Sequence, residues 1–270
     1  MASAAINGIS YHYVVIGSGP PLVLLHGFTG SSENWQPHTS LLAEHFTVLT
    51  VDLLGHGETD APHDPERYGM AQAAADLVEL LDRTCKAPAH VLGYSMGGRL
   101  ALYLAMMYPE LVSSLILESA SPGLADAPAR RARIGQDEAL ADRIEAEGLD
   151  AFVDYWETLP LFATQQRLPV VLRRHLRDQR LRNRTTGLAN TLRGMGTGVQ
   201  PSLWEHLHEV SMSVLLLAGA LDTKFVGIAR QMYDLLPEAH LAIVPDAGHT
   251  IHLESPDAFR IQLLQFLAHV

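Results

Sequence analysis

A chain of 270 residues, of which 47% are apolar and 18% charged, can bury the core of one large α/β domain. The formal net charge of −11 argues against a nucleic acid as the main partner, because phosphate binding needs a basic face. The single cysteine, Cys85, excludes an intramolecular disulfide and fits a reducing compartment.

Near its start, the sequence does not show the basic residues followed by an apolar run that a secretory signal has. No apolar run is long enough to cross a bilayer. We therefore expect a cytoplasmic protein without membrane insertion. The sequence predicts no particular oligomeric state.

Short runs rich in Val, Leu and Ile alternate along the chain with stretches of helical periodicity. Strands are predicted at Leu22–His26, Thr47–Asp52, Ala89–Gly93, Ser114–Glu118, Val214–Gly219 and Leu241–Val244, with an extra strand at Asn7–Val15. Helices are predicted at Met70–Thr84, Gly97–Tyr108, Phe225–Leu236 and Pro256–Ala268. This alternation predicts a mostly parallel sheet that is flanked by helices.

The alternation stops between Ser121 and Val210, where the pattern is helical and contains no convincing strand. Residues 122–205 carry 12 arginines against 11 acidic residues, whereas the whole chain is strongly acidic. An ordinary crossover needs only about a dozen residues or two, so this segment is too long to be one. We predict a helical cap, 122–210, inserted after the sixth strand into a core of 1–121 and 211–270.

The stretch Gly93-Tyr94-Ser95-Met96-Gly97 has the pattern G-x-S-x-G between a predicted strand and a predicted helix. Such a turn exposes a serine at the end of a strand, and the flanking glycines allow close approach of the backbones. The helix N-terminus favours developing negative charge next to that serine. Ser95 is therefore the predicted catalytic serine.

A catalytic serine needs a histidine, and the histidine needs a carboxylate that fixes its tautomer. Among 14 histidines, His249 follows the last predicted strand, and Asp222 follows the strand before it. This is the chain order Ser…Asp…His that accompanies the G-x-S-x-G motif in the α/β-hydrolase fold, which the whole pattern resembles. His252 is the nearest competitor for the histidine, and Glu118 is the alternative acid.

An oxyanion hole needs backbone N–H donors. Met96, directly after the serine, should provide one of them. The other should come from Phe28 in His26-Gly27-Phe28-Thr29-Gly30, where His26 is interpreted as a residue that orders the loop. No metal-binding spacing and no nucleotide-binding motif is present, so neither a metal nor a cofactor is expected.

Arg99 lies one helical turn after Ser95, so its side chain could face the same pocket. Guanidinium groups bind carboxylates through paired hydrogen bonds. A pocket under a cap rich in arginine therefore suits a substrate with several carboxylates, whereas a lipase would need an apolar pocket. Most cap arginines must nevertheless pair with the acidic residues of the cap.

One segment, Gly187–Trp204, has no rationale in a generic hydrolase. Together with the motif around Ser95, Ser121-Pro122-Gly123-Leu124, Trp156 followed by Pro160-Leu161-Phe162, and Asp222-Thr223-Lys224-Phe225, it resembles the 2-succinyl-6-hydroxy-2,4-cyclohexadiene-1-carboxylate synthases of menaquinone biosynthesis. The resemblance extends from about His26 to the C-terminus and includes the cap.

The resemblance implies a lyase that eliminates pyruvate from 2-succinyl-5-enolpyruvyl-6-hydroxy-3-cyclohexene-1-carboxylate, a small tricarboxylate. It implies that Ser95, activated by His249 and Asp222, acts as a general base and forms no acyl-enzyme. The oxyanion hole would hold charge on the succinyl carbonyl oxygen.

The resemblance further implies a set of substrate-binding residues, namely Tyr94, Arg99, Arg133, Trp156 and one more cap arginine. Arg182 is chosen for that arginine, with Arg177 and Arg180 as close alternatives.

Two other interpretations remain. One is a carboxylesterase or carbon–carbon bond hydrolase that uses the same three catalytic residues, and the other is a binding protein on a degenerate hydrolase fold. The complete set of catalytic positions argues against the second. A haloalkane dehalogenase is disfavoured, because it would have a carboxylate at position 95.

Overall fold

The centre of the protein is an eight-stranded sheet. The computed structural model describes residues 2–85 and 88–270. The strands are β1 (Ala2–Ile6), β2 (Ile9–Ile16), β3 (Pro21–Leu25), β4 (Thr47–Val51), β5 (Ala89–Tyr94), β6 (Val112–Glu118), β7 (Val214–Gly219) and β8 (Ala239–Val244). Their order is β1-β2-β4-β3-β5-β6-β7-β8. All strands from β3 onwards pair in parallel, while β1 and β2 are antiparallel, so the mostly parallel sheet is confirmed.

Helices cover both faces of the sheet. They are α1 (Gln36–Leu42), α2 (Met70–Thr84), α3 (Met96–Met107), α4 (Ala127–Glu157), α5 (Val170–Leu181), α6 (Thr185–Met195), α7 (Thr223–Leu235), α8 (Ile251–Glu254) and α9 (Pro256–Leu267). Short 3-10 helices occupy Ser32–Trp35, Pro65–Tyr68, Pro109–Leu111, Pro160–Arg167 and Trp204–Glu209.

Successive residues of a central strand enter different hydrophobic cores. In β3, Val23 and Leu25 pack in the core shared with α2, α3 and α7, while Leu22 and Leu24 pack in the core shared with α1 and α9. The strand is almost continuously apolar because side chains on both of its faces are buried. This sandwich holds the carboxyl ends of the parallel strands at one edge, where the loops after β3, β5, β7 and β8 meet.

The start of the chain differs from the sequence prediction. The strand expected at Asn7–Val15 corresponds to β2 (Ile9–Ile16), but β1 precedes it and forms a hairpin with it. The two strands are joined at Asn7 and Gly8, whose φ angles are 47° and 81°. Asn-Gly supports this left-handed turn. The strand β1 was missed because its sequence, ASAAI, is rich in alanine and lacks the alternation typical of a strand.

The segment between β6 and β7 is helical, as predicted, and holds α4, α5 and α6. It has a small apolar core of its own, in which Phe152 of α4 packs with Leu188 and Leu192 of α6. Gly148, with φ 82°, interrupts α4. The division into core and cap stays a prediction. Over the described residues, no helix combines the length and apolar character needed to cross a membrane.

Candidate active site

The backbone around Ser95 has the strained geometry that the motif predicts. Ser95 has φ 50° and ψ −106° between the end of β5 and the start of α3. A Cβ on Gly93 would lie 2.3 Å from the carbonyl oxygen of Gly97, and a Cβ on Gly97 would lie 2.4 Å from that of Leu25. Only glycine fits at these two positions, because any side chain would collide with the backbone. The glycines permit a sharp turn between β5 and α3, and this turn directs Ser95 out of the sheet.

Ser95, His249 and Asp222 come together from three separate loops. The Oγ of Ser95 lies 3.1 Å from Nε2 of His249, and Nδ1 of His249 lies 2.7 Å from Oδ2 of Asp222. Since an ionised carboxylate only accepts hydrogen bonds, Nδ1–H donates to Asp222 and Nε2 accepts from the serine hydroxyl. Asp222 also caps the N-terminus of α7, where its Oδ1 accepts from the N–H of Phe225 at 3.2 Å. The arrangement can withdraw a proton from Ser95.

A carboxylate that the sequence analysis missed holds the loop of His249 in place. Glu254 Oε2 accepts from the N–H of Gly248 at 2.7 Å, and its Oε1 accepts from the N–H of Thr250 at 3.1 Å. One side chain thus binds both chain neighbours of His249. Because Glu254 follows the histidine in sequence without any known motif, only the loop geometry reveals its role.

The alternative candidates, Glu118 and His252, pair with each other. The carboxylate of Glu118 accepts from Nδ1 of His252 at 2.9 Å and from its backbone N–H at 3.1 Å, and neither side chain is exposed. Glu118 therefore does not contact His249. The pair instead ties the end of β6 to α8, directly below the ring of Tyr94, whose centroid lies 4.9 Å from that of His252.

A cavity of about 200 Å³ opens above the serine. The expected residues that line it are Ser95, His249, Phe28, Met96, Tyr94, Arg99, Arg133 and Trp156. Further lining residues that the sequence analysis did not assign include Asp137, Phe162, Lys224 and Phe225. The cavity is therefore lined by residues around the catalytic serine, by residues of α4 and by residues of the 3-10 helix at Pro160–Arg167.

The two expected oxyanion donors lie in suitable elements. Met96 is the first residue of α3, so its N–H has no partner within the helix. The N–H of Ser95 is not available, because it donates to the carbonyl oxygen of Glu118 at 2.8 Å. Phe28 belongs to the loop after β3, which His26 orders by donating from Nδ1 to Gly27 O at 2.7 Å.

His26 is buried and neutral, as a residue that orders a loop should be. Its Nε2 accepts from the N–H of Leu53 at 3.0 Å, so both ring nitrogens are engaged. Burial lowers the pKa of His26 below its usual value. These contacts agree with the structural interpretation of this histidine and leave it no acid–base function.

Arg99 is held by two residues of the Gly187–Trp204 segment. Its Nη1 donates to Met195 O and to Gln200 Oε1, both at 2.8 Å. Burial is the main cause that lowers the pKa of Arg99 to about 10, and the nearby Arg133 lowers it further. The buried cation has no carboxylate partner among the described residues, and this leaves it available to an anion in the cavity.

The other expected binding residues have partners of their own. Arg133 donates from Nε to Asp137 Oδ1 at 2.8 Å. The indole of Trp156 lies 5.3 Å from the rings of both Phe28 and Phe162, and its buried N–H has no hydrogen-bond partner among the described residues. The hydroxyl of Tyr94 lies 3.3 Å from Thr250 Oγ1.

Arg182 is not where the sequence analysis expected it. It lies outside the cavity and forms an ion pair with Glu33. Arg177 pairs with Asp154 at 2.7 Å, and Arg180 pairs with Glu157 at 2.7 Å. A position in the sequence does not show the direction of a long side chain, and each guanidinium pairs with an acidic residue within reach. That of Arg180 also lies 5.8 Å from the ring of Phe162, at the margin of the cavity.

No group of three or more His, Cys, Asp or Glu side chains that could hold a metal ion occurs within residues 2–85 and 88–270.

Residues 20–256 match the model of the α/β-hydrolase fold family. The chain belongs to the α/β-hydrolase family. It is 47% identical, over 96% of its length and 95% of the relative, to a protein of Bacillus subtilis named as a putative 2-succinyl-6-hydroxy-2,4-cyclohexadiene-1-carboxylate synthase. It is 34% identical to the synthase of that name from Serratia proteamaculans, over 93% of this chain and 94% of the relative.

Among solved structures, MenH from S. aureus superimposes with a TM-score of 0.92 at 38% identity, covering 96% of this chain and 98% of that one. The resemblance to these synthases that the sequence indicated is confirmed. This member of the α/β-hydrolase family is an enzyme of that kind.

Proposed function

We propose that this enzyme is a lyase of menaquinone biosynthesis. It eliminates pyruvate from 2-succinyl-5-enolpyruvyl-6-hydroxy-3-cyclohexene-1-carboxylate and leaves 2-succinyl-6-hydroxy-2,4-cyclohexadiene-1-carboxylate. The observation that carries the proposal is the combination of an assembled Ser95, His249 and Asp222 with two arginines, Arg99 and Arg133, that line the same small cavity. Two cations next to the reacting serine favour a substrate with several carboxylates over a neutral ester.

The first step is proton removal from the substrate ring. His249 accepts the hydroxyl proton of Ser95 at Nε2, over the 3.1 Å that separate them, and Ser95 Oγ removes the ring proton. Asp222, on the opposite ring nitrogen, stabilises the imidazolium that forms. The electron pair of the broken C–H bond moves into the ring and expels the enolpyruvyl oxygen.

The leaving group departs as the enolate of pyruvate and takes up a proton on its methylene carbon, while His249 releases the proton that it accepted in the first step. One proton leaves the ring and one enters the methyl group, so the reaction needs neither water nor an external acid. The N–H groups of Phe28 and Met96 stabilise the negative charge that develops on the succinyl carbonyl oxygen. Ser95 forms no bond to carbon and returns to its starting state.

The binding residues follow from the same cavity. Arg99 and Arg133 each bind a carboxylate, and Arg99 is pre-oriented by its two hydrogen bonds to the Gly187–Trp204 segment. The unpartnered N–H of Trp156 donates to a substrate oxygen. Tyr94 packs beneath the ring of His249, with the two ring centroids 5.5 Å apart, and limits the depth of the cavity.

The test is pyruvate release from the enolpyruvyl substrate by wild-type protein, Ser95→Ala and Arg99→Ala. Removing the general base should lower kcat by about a hundredfold or more. Removing a charged hydrogen-bond donor should raise KM by about ten- to a hundredfold. The exposed Ser40→Ala is the matched control and should behave as wild type.

The alternative is a serine hydrolase, which the same assembled Ser95, His249 and Asp222 could serve with Ser95 as nucleophile. It would hydrolyse small aryl esters through an acyl-enzyme, with a burst of the first product. Ester turnover without pyruvate release would overturn the lyase proposal and leave the fold unaffected.

A further inference from the structure

Among the described residues, the arginines that line the cavity are fewer than the carboxylates of the proposed substrate. The proposed substrate carries three carboxylates, while Arg99 and Arg133 are the two arginines that line the cavity. The cap arginines expected to supply a third cation, Arg177, Arg180 and Arg182, all pair with carboxylates outside it. A third cation is therefore to be sought elsewhere along the cavity.

Lys224 of α7 also lines the cavity, and it comes from the core rather than the cap. No carboxylate lies within ion-pair distance of it in the described part of the chain. Its ammonium lies 5.5 Å from the ring centroid of Phe225, and that ring lies 4.6 Å from the ring of His249. The ring of Phe225 thus lies next to both the ammonium of Lys224 and the catalytic histidine.

Lys224 lies in the first turn of α7, and the carboxylate of Asp222 caps the N-terminus of this helix. Lys224 is the second residue of α7 (Thr223–Leu235), and no acidic residue occurs in the first turn. The N-terminus of a helix carries partial positive charge, and the carboxylate of Asp222 offsets that charge here. The ammonium of Lys224 is therefore the group of this turn that can attract an anion in the cavity.

We propose that Lys224 is a substrate-binding residue, whose ammonium holds the third carboxylate of the tricarboxylate; this inference rests on the proposed function. Arg99 and Arg133 then bind from the side of α3 and α4, and Lys224 binds from the side of α7. Carboxylates held from both sides fix the ring over Ser95. This arrangement favours a tricarboxylate substrate without any contribution from Arg177, Arg180 or Arg182.

The test compares Lys224→Met with Arg230→Met in the pyruvate-release assay. Both substitutions remove one exposed cation from α7, but Arg230 does not line the cavity. A carboxylate contact that is equally strong in the substrate complex and the transition state affects KM and leaves kcat unchanged. Lys224→Met should raise KM by about tenfold, with kcat within about threefold of wild type. Lys224→Arg should restore most of the loss.

The outcomes separate the two proposals. Pyruvate release by wild type together with equal KM values for Lys224→Met and Arg230→Met would overturn the role of Lys224 and leave the lyase function intact. A decrease in kcat at unchanged KM would also overturn it. Absence of pyruvate release by wild type would overturn both proposals. Because Lys224 is exposed, its replacement should leave the thermal midpoint unchanged, so a KM effect reports on binding.

Discussion

Replacing Glu254 with glutamine should slow pyruvate release more strongly than it destabilises the fold. The carboxylate accepts from the N–H groups of Gly248 and Thr250, at 2.7 and 3.1 Å, on either side of His249. Glutamine has the same length but only one acceptor oxygen. Its NH₂ group would face one of the two N–H donors, and the loop must shift to relieve this contact.

The magnitude follows from the hydrogen bonds that are lost. A hydrogen bond to a charged group contributes about 1.5–3 kcal/mol, and Glu254→Gln removes one such bond and weakens the other. If about 2 kcal/mol of this is lost in the transition state, kcat falls about thirtyfold, since each 1.36 kcal/mol corresponds to tenfold. KM should change little, because Glu254 does not line the cavity.

The assay is steady-state pyruvate release, with the urea unfolding midpoint measured on the same preparations. Asp257→Asn, at an exposed site three residues further along, is the control and should retain full kcat. A kcat within about twofold of wild type would refute the positioning argument. If stability decreased while kcat stayed unchanged, Glu254 would support the fold without orienting His249.

Three further predictions concern the folding free energy, each measured by urea unfolding. Glu118→Gln should lower the unfolding free energy by about 2–4 kcal/mol, because it places an amide against the buried Nδ1–H and N–H of His252; a loss below about 0.5 kcal/mol would contradict this. Burial lowers the pKa of His38 from 6.5 to about 3. The folding free energy that neutral His38 contributes is therefore fully present above pH 6.5 and is lost as the pH falls towards 3. Between pH 7.5 and 5.5, His38→Gln should therefore lose about 1.4 kcal/mol less stability than wild type, and equal losses would refute the assignment. Gly97→Ala should cost about 1–3 kcal/mol, because its Cβ would lie 2.4 Å from a carbonyl oxygen of β3; the control Gly135→Ala, in an exposed helical site with open space, should instead stabilise by about 0.4–1 kcal/mol.

The motif around Ser95 could be interpreted from the sequence because its geometry is local. The glycines that permit the turn adjoin the serine, and a strand and a helix on either side place the turn at the edge of the sheet. Asp222 and His249 were recognisable for a related reason, since each follows a short apolar strand. Parallel strands bring such positions to the same edge.

Side chains that act through contacts distant in sequence were not predictable. Glu118 and His252 each looked like a candidate for the catalytic residues, and only the fold reveals that they pair with each other. Glu254 has no motif, and its role depends on the course of the loop around His249.

The sequence by itself therefore determined the family, the sheet and the three residues Ser95, Asp222 and His249, because apolar periodicity and short glycine motifs depend on neighbours in the chain. Tertiary structure alone decided which cations face the cavity. Arg182 pairs with Glu33, whereas Lys224 lines the cavity. Long charged side chains span several ångströms, and the nearest opposite charge, which folding supplies, sets their direction.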